Sequence, residues 1–147
     1  MIRKAEAKDI EVIAEYNCMM AKETEGIDLD KETVLAGVKN AINDPNKASY
    51  YLYETDEKVV GQLMLTKEWS DWRNGYFWWI QSVYVNENYR RRGIYRSLYT
   101  YLEEKVKKDP ELCGIRLYVE KDNKRAKNTY ENLGMQETYY LLYEMEK

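Results

Sequence analysis

Apolar residues along the chain change their spacing several times, and each change marks an element. Ile2 to Ala5 reads as a short first strand. Ile10, Ile13, Ala14, Asn17, Met20 and Ala21 then fall on one helical face. Asp9 stands where an acidic residue caps a helix or complements its dipole, and Gly26 stands where a glycine closes one. After a loop of Ile27 to Asp30, Asp30 can cap a second helix, roughly Lys31 to Asn43. Val34, Leu35, Val38 and Ile42 form its stripe, and Pro45 stops it.

The middle of the chain is β-patterned. Ala48 to Glu54 alternates, Thr55 to Lys58 turns, and Val59 to Thr66 is a strand interrupted by Gly61. Glu68 to Gly75 reads as a polar, Trp-bearing hairpin loop. Tyr76 to Val85 is a nearly unbroken run of Tyr, Phe, Trp, Ile and Val, the pattern of a central strand buried on both faces. After a basic loop, Ile94, Leu98, Leu102 and Val106 recur every four residues on a helix that ends near Asp109-Pro110. Cys113 to Val119 alternates as a strand. Asn123 to Leu133 carries Ala126, Tyr130 and Leu133 on one helical face, closed by Gly134, and Gln136 to Met145 reads as a last β segment. The order is β, α, α, three strands, α, β, α, β, which predicts an α/β domain with a mixed sheet and helices on its faces.

Length and composition narrow the functional classes. At 147 residues, the span 1–147 is expected to be one domain with room for a sizeable core. Lys plus Arg count 23 and Asp plus Glu 26, so the net charge is 23 − 26 = −3, which argues against general nucleic-acid binding. No signal peptide and no membrane-length apolar run are visible, so a cytoplasmic location is expected. Cys18 and Cys113 lack metal-type spacing and read as reduced core thiols. The chain has no histidine, which excludes a His base, a Ser-His-Asp triad and a His-ligated metal, and no metal is expected. Four Trp and fifteen Tyr stand against one Phe, a composition suited to half-wet grooves as well as to cores.

The main chemical signal lies in Tyr84-Val85-Asn86-Glu87-Asn88-Tyr89-Arg90-Arg91-Arg92-Gly93-Ile94-Tyr95-Arg96-Ser97-Leu98. Strand, basic Gly-containing loop and helix follow one another. Such a junction aims backbone N–H groups and a positive helix end at one point, which suits a phosphate. No Gly-x-Gly-x-x-Gly or Gly-Lys-Ser/Thr loop is present to indicate a nucleotide domain.

These residues resemble the Gcn5-related N-acetyltransferase (GNAT) superfamily, over essentially the whole chain. Arg90, Arg91, Arg92, Gly93 and Ile94 fit its first signature, with Tyr95 where Gly or Ala is usual. Val83 to Arg90 looks like the strand and turn that lead into it. Asn123 to Met135 is similar to the second signature, with Ala126, Tyr130 and Gly134 in register and Met135 in place of Phe. The resemblance implies a mixed, mostly antiparallel sheet with helices on both faces and a splayed central strand pair, and acetyl-CoA as cosubstrate. It implies that backbone N–H groups from Arg91 to Arg96 hold the pyrophosphate, with Arg90, Arg91, Arg92 and Arg96 adding charge. Val83 and Val85 would bond the pantetheine amides, Asn123 would touch the cofactor, and Tyr130 would assist the leaving thiolate. The Tyr95 side chain is expected to pack into the core; the competing expectation is that it obstructs the site.

The family often carries an acidic base on the strand Ile80 to Val85, where this chain has Gln81 and Ser82. Glu23, Glu25, Glu120 or a water chain remain as alternatives. The implied activity is direct transfer of an acetyl group to a primary amine, a small molecule first and a peptide or protein second. The alternative is a non-catalytic acyl-CoA-binding or interaction protein on the same fold. Glu23, Glu25, Asp28 and Asp30 are either an acidic rim for a cationic acceptor or a solvated run. Trp69, Trp72, Trp78 and Trp79 form either an aromatic wall, core packing or a homodimer interface.

Overall fold

A five-stranded sheet in the order β1-β2-β3-β4-β5 organises the computed structural model, which describes all residues from Met1 to Lys147. The strands are β1 (Ile2–Lys4), β2 (Ser49–Thr55), β3 (Lys58–Ser70), β4 (Gly75–Val85) and β5 (Leu112–Leu117). The first four pair antiparallel, and β5 joins β4 in parallel. The helices are α1 (Ile10–Glu25), α2 (Lys31–Asn43), α3 (Ile94–Lys108) and α4 (Lys124–Asn132). No helix is long and apolar enough to cross a membrane.

Two cores lie on opposite faces of the sheet, which is the predicted mixed sheet with helices on both sides. On one face Ile13 and Ala14 of α1 and Val38 and Ala41 of α2 pack on Tyr50 and Leu52 of β2. On the other, Ile94, Leu98, Tyr99 and Leu102 of α3 pack on Val60, Leu63, Leu65 and Ile80. Gly61 decides how close α3 sits: a Cβ there would stand 2.7 Å from Ile94 Cγ2, so a larger residue would lift the first turn of α3 off the sheet. The helix boundaries follow the chain's punctuation. Gly26 closes α1 in the left-handed region (φ 65°), and the Asp30 carboxylate accepts from the Thr33 N–H at 3.1 Å.

Five expectations need correction. The Glu68 to Gly75 loop is shorter than its polarity suggested: β3 runs to Ser70, and only Asp71–Asn74 turn. Trp79 Nε1 donates to Glu68 at 2.6 Å and Arg116 Nη1 does so at 2.8 Å, which holds a charged residue in the ladder. Gln136 to Met145 forms no strand, and β5 ends at Leu117 rather than Val119. Cys113 is exposed rather than a core thiol. Asp9 does not cap α1, because its carboxylate accepts Arg3 Nη1 at 2.8 Å, Arg3 Nη2 at 2.9 Å and the Glu6 N–H at 2.8 Å. Arg3 also donates to Glu54 at 2.7 Å, so one guanidinium ties β1 to the entry of α1 and to β2.

Asp9 is 3% exposed, and burial alone would raise its pKa; the hydrogen bonds from Arg3 and the Glu6 N–H prevail and hold it below the usual carboxylate value. Its ion pair therefore stabilises the fold fully above the unfolded-state value, about 3.9, and the contribution is lost as pH falls through the lower folded-state value. We predict that Asp9→Asn lowers the unfolding free energy in urea by about 2–3 kcal/mol at neutral pH. The gap from the parent chain should close as the medium is taken below the ordinary carboxylate pKa. A gap of constant size down to the acid limit would show that the pair is not its source.

Candidate functional site

The site is built where β4 loses one neighbour. β5 pairs with β4 from Tyr76/Leu112 to Ile80/Leu117 and no further, so Gln81 to Val85 have β3 on one side and a gap on the other. A bulge sits at the same place. Gln62 faces Tyr84 but Met64 faces Gln81, so Leu63 alone opposes Ser82 and Val83. Ser82 adopts φ 51°, a left-handed conformation that needs support in a non-glycine residue. The support is Gln62, fully buried, whose Nε2 donates to the Ser82 carbonyl at 3.2 Å and to Asn17 Oδ1 of α1 at 2.8 Å. Sequence reading placed Asn17 in an apolar stripe and missed this bridge; a buried polar pair facing across two elements leaves no local signal.

Beyond Val85, the Asn86 side chain accepts from the Asn88 N–H and shapes a short helical turn, Glu87–Tyr89. Arg91 (φ 64°) and Gly93 (φ 75°) then bend the chain into α3. The first main-chain donor of the helix with a partner is Ser97 N–H, which reaches the Gly93 carbonyl at 2.9 Å. The N–H groups of Arg91, Arg92, Gly93, Ile94, Tyr95 and Arg96 have no acceptor in the protein. They converge at the positive end of a 15-residue helix, an anion cradle of main-chain donors.

The arginines divide. Arg91, Arg92 and Arg96 are exposed beside the cradle, with Arg92 over the Tyr89 ring at 5.0 Å. Arg90 is also exposed, but it is engaged by the protein: Nε donates to the Val85 carbonyl at 2.9 Å and Nη2 to Glu23 at 2.8 Å. It clamps the loop to α1 rather than reaching for a phosphate. The same bond occupies the Val85 carbonyl, which points away from β3 because the neighbouring Asn86 N–H bonds to Val60. Ile94 buries its side chain at 5% exposure and leaves only its N–H to the cradle.

A cleft of about 290 Å³ adjoins the cradle, lined by Val83, Tyr95, Asn123, Arg125, Ala126, Thr129 and Tyr130. Four residues singled out from the sequence meet there: Val83, Tyr95, Asn123 and Tyr130. Asn123 caps α4, accepting from the Ala126 N–H at 3.0 Å, and so fixes the turn that presents Tyr130. The Tyr95 side chain packs inward beside Tyr99 and also lines the cleft. Its ring lies 6.1 Å from that of Tyr130, edge to face, and its hydroxyl is buried without a partner. Burial pushes both hydroxyls above the usual tyrosine value, Tyr95 the further, with Tyr130 and Tyr99 adding to the shift there. Both remain protonated donors at neutral pH.

The opposite side of the gap faces α1. Trp79 stacks on Tyr118 at 4.4 Å, and Gln81 donates to Thr66 at 2.7 Å. Glu23 is held by Arg90 and, at 3.4 Å, by the Tyr84 hydroxyl, which takes it out of contention as a free base. Glu25 and Glu120 are exposed. The four tryptophans make no single wall, since Trp69 and Trp72 are exposed on the hairpin and Trp78 packs against the α3 core.

An anion cradle opening into a cleft between parting strands suits a ligand that carries phosphate at one end. The model of the acetyltransferase (GNAT) family matches residues 12–135. A solved structure of a possible acetyltransferase from Clostridium difficile 630 is 50% identical, covers 100% of this chain and 97% of that one, and superposes with a TM-score of 0.96. Two more distant structures share the fold. A predicted acetyltransferase with acetyl-CoA from Clostridium acetobutylicum is 19% identical over 99% of this chain and 95% of that one, with a TM-score of 0.79. AAC(6')-Iy in complex with a bisubstrate analog, CoA-S-monomethyl-acetylneamine, is 12% identical over 100% and 97%, with a TM-score of 0.77. No match was found among curated proteins. The chain belongs to the acetyltransferase (GNAT) family.

No atom of the protein lies within 4 Å of a Cβ built on Gly93, so a side chain there meets the cradle's occupant rather than the fold. Gly93→Ala should cost about 1–2 kcal/mol of stability through its positive φ. Gly93→Glu should in addition weaken acetyl-CoA binding by calorimetry at least about tenfold through like charge at the phosphates. Equal affinities for the two variants would remove Gly93 from the cradle.

Proposed function

We propose that residues 1–147 act as one catalytic domain that moves the acetyl group of acetyl-CoA directly to the primary amine of a small molecule. The observation that carries the reading is the meeting of Val83, Tyr95, Asn123 and Tyr130 in one cleft beside the main-chain cradle. The pyrophosphate is held by the N–H groups of Arg91 to Arg96, with the side chains of Arg91, Arg92 and Arg96 alongside. The pantetheine arm enters between β4 and β5, past Asn123, with Val83 and Val85 contributing backbone groups. The amine approaches from the α1 side, past Trp79, Tyr118 and Gln81. The small-molecule assignment is supported by the aromatic lining at that entrance.

The amine nitrogen forms a bond to the thioester carbonyl carbon, the carbon–sulfur bond breaks, and the proton lost from nitrogen ends on sulfur or in solvent. Tyr130 serves the departing sulfur. Burial holds its pKa above the usual tyrosine value, which already exceeds that of a thiol, so full proton transfer from Tyr130 to the thiolate is uphill. Its role is a hydrogen bond to the thiolate, which leaves the proton on oxygen. Tyr130→Phe should lower kcat by about 10²-fold with the acetyl-CoA dissociation constant within about twofold of the parent. Unchanged turnover would remove Tyr130 from the chemistry.

Deprotonating the amine at pH 7 costs about 4.6 kcal/mol, from 3.4 pK units at 1.36 kcal/mol each. Gln81 is not a base, and Glu23 is committed to Arg90, so the acceptor is taken from its neutral fraction through water. kcat/KM should therefore rise about tenfold per pH unit until the amine's own pKa is reached. A plateau setting in near neutrality would reveal an internal base. The competing reading, an acyl-CoA-binding protein without turnover, is favoured by the same lack of a free carboxylate. Release of CoA thiol over a panel of amines separates the two, since binding of acetyl-CoA with no release on any amine would favour the second.

A further inference from the structure

The helix that presents Tyr130 is weakly tied to the rest of the fold. No residue of α4 is buried, and only Ala126, Lys127 and Tyr130 are half-buried. Its hydrogen bonds and its one ion pair, Lys127–Glu137 at 3.8 Å, all close within residues 120–137. None reaches a strand or another helix. Leu133 and Met135, past its last turn, pack against the α3 core and hold the C-terminal end. The rest of α4 is therefore kept over the cleft by side-chain packing and not by polar ties.

The packing partner is Tyr95. Its ring stands edge to face with that of Tyr130, 6.1 Å between centroids at 68°, an arrangement that the charge distribution of aromatic rings favours. Tyr99, one turn further along α3, lies 6.5 Å from Tyr95 and is itself buried in the α3 core. Three rings thus connect that core to the helix carrying Tyr130. Tyr95 is fixed by its neighbours in α3, since Ile94 and Leu98 are buried against the sheet. The Tyr95 hydroxyl adds nothing to this support: it is buried without a partner, which is a cost and not a bond. The ring is the useful part.

We propose that Tyr95 is a positioning residue: its ring sets the place of α4 and thereby aims the Tyr130 hydroxyl into the cleft. The proposal rests on the role of Tyr130 given above. Without the ring, α4 keeps only its anchor at Leu133 and Met135. Tyr130 then loses its fixed direction, and turnover falls while the main-chain cradle still holds acetyl-CoA.

The test compares Tyr95→Phe, which keeps the ring, with Tyr95→Leu, which fills much of the same space without it. Hydrogen exchange is followed on the full chain without cofactor. The amides of residues 127–132 should exchange at least about tenfold faster in Tyr95→Leu and at the parent rate in Tyr95→Phe, with α3 and the sheet protected alike in all three. Unchanged exchange in α4, or faster exchange throughout the chain, would overturn the proposal. Turnover should fall about 30-fold in Tyr95→Leu, with the acetyl-CoA dissociation constant within about threefold of the parent, and Tyr95→Phe should recover most of the loss. In a Tyr130→Phe background, Tyr95→Leu should lower kcat by no more than about twofold further, because both act through one hydroxyl. A full loss in that background would show that Tyr95 works independently of Tyr130 and would overturn the proposal. Exchange reads the support of α4 directly, so a Tyr130→Phe variant with parental turnover would sink the role of Tyr130 and leave that support standing.

Discussion

Everything about the site follows from β4 having to satisfy two different neighbours along its length. For its first half it is a central strand, bonded to β3 and β5. For its second half it is bonded to β3 alone, and the side facing the gap is left with main-chain groups for a ligand to use. A regular strand would keep its backbone groups in strict alternation; the extra residue at Ser82–Val83 changes that alternation where the strands part. The left-handed Ser82 is therefore the hinge of the design. Its support comes from elsewhere, from Gln62 in β3 and Asn17 in α1. Gln62 keeps one oxygen without a partner, a burden of about 1–3 kcal/mol that the strand's geometry demands.

The two faces of the sheet divide the labour. The α3 side carries the cradle, Tyr95 and Tyr130, where we propose that the donor binds, and the α1 side carries Trp79, Gln81 and Tyr118, where we propose that the acceptor enters. The Arg90–Glu23 pair crosses between them, and being half-exposed it contributes little to stability by itself. Its effect is geometric, because it seats the loop that feeds α3 against the end of α1. Gly61 does the same from below by letting Ile94 lie against β3.

Much of this was legible because it is local. Asp30 and Gly26 mark helix ends through bonds to residues three to five positions away, and the strand–loop–helix change at Arg90 to Leu98 is a change of period. What stayed hidden depends on partners far along the chain. Asn17 and Gln62 are 45 residues apart, Arg90 and Glu23 are 67 apart, and neither pairing leaves a trace in spacing. Glu68 in β3 looked like a loop residue because its Arg116 partner lies 48 residues on. The β propensity of Gln136 to Met145 was read correctly as propensity and wrongly as a strand, since a strand also requires a neighbour within the chain. Tyr95 was read as packing inward, and its hydroxyl is buried; that its ring also lines the cleft depends on Tyr130, which lies farther along the chain.

The cradle is made of main-chain N–H groups, and this has a consequence for how the protein can change over evolutionary time. A phosphate site built from side chains is lost when one of them is replaced. A site built from backbone survives most replacements, provided that the chain still turns at Arg91 and Gly93 and the helix still begins at Ile94. A main-chain site of this kind leaves the side chains along the loop with a smaller share in holding an anion and more freedom to drift. A tyrosine at position 95 is one such excursion: the anchor stays, while the wall of the cleft acquires a new shape on which divergence between relatives can act.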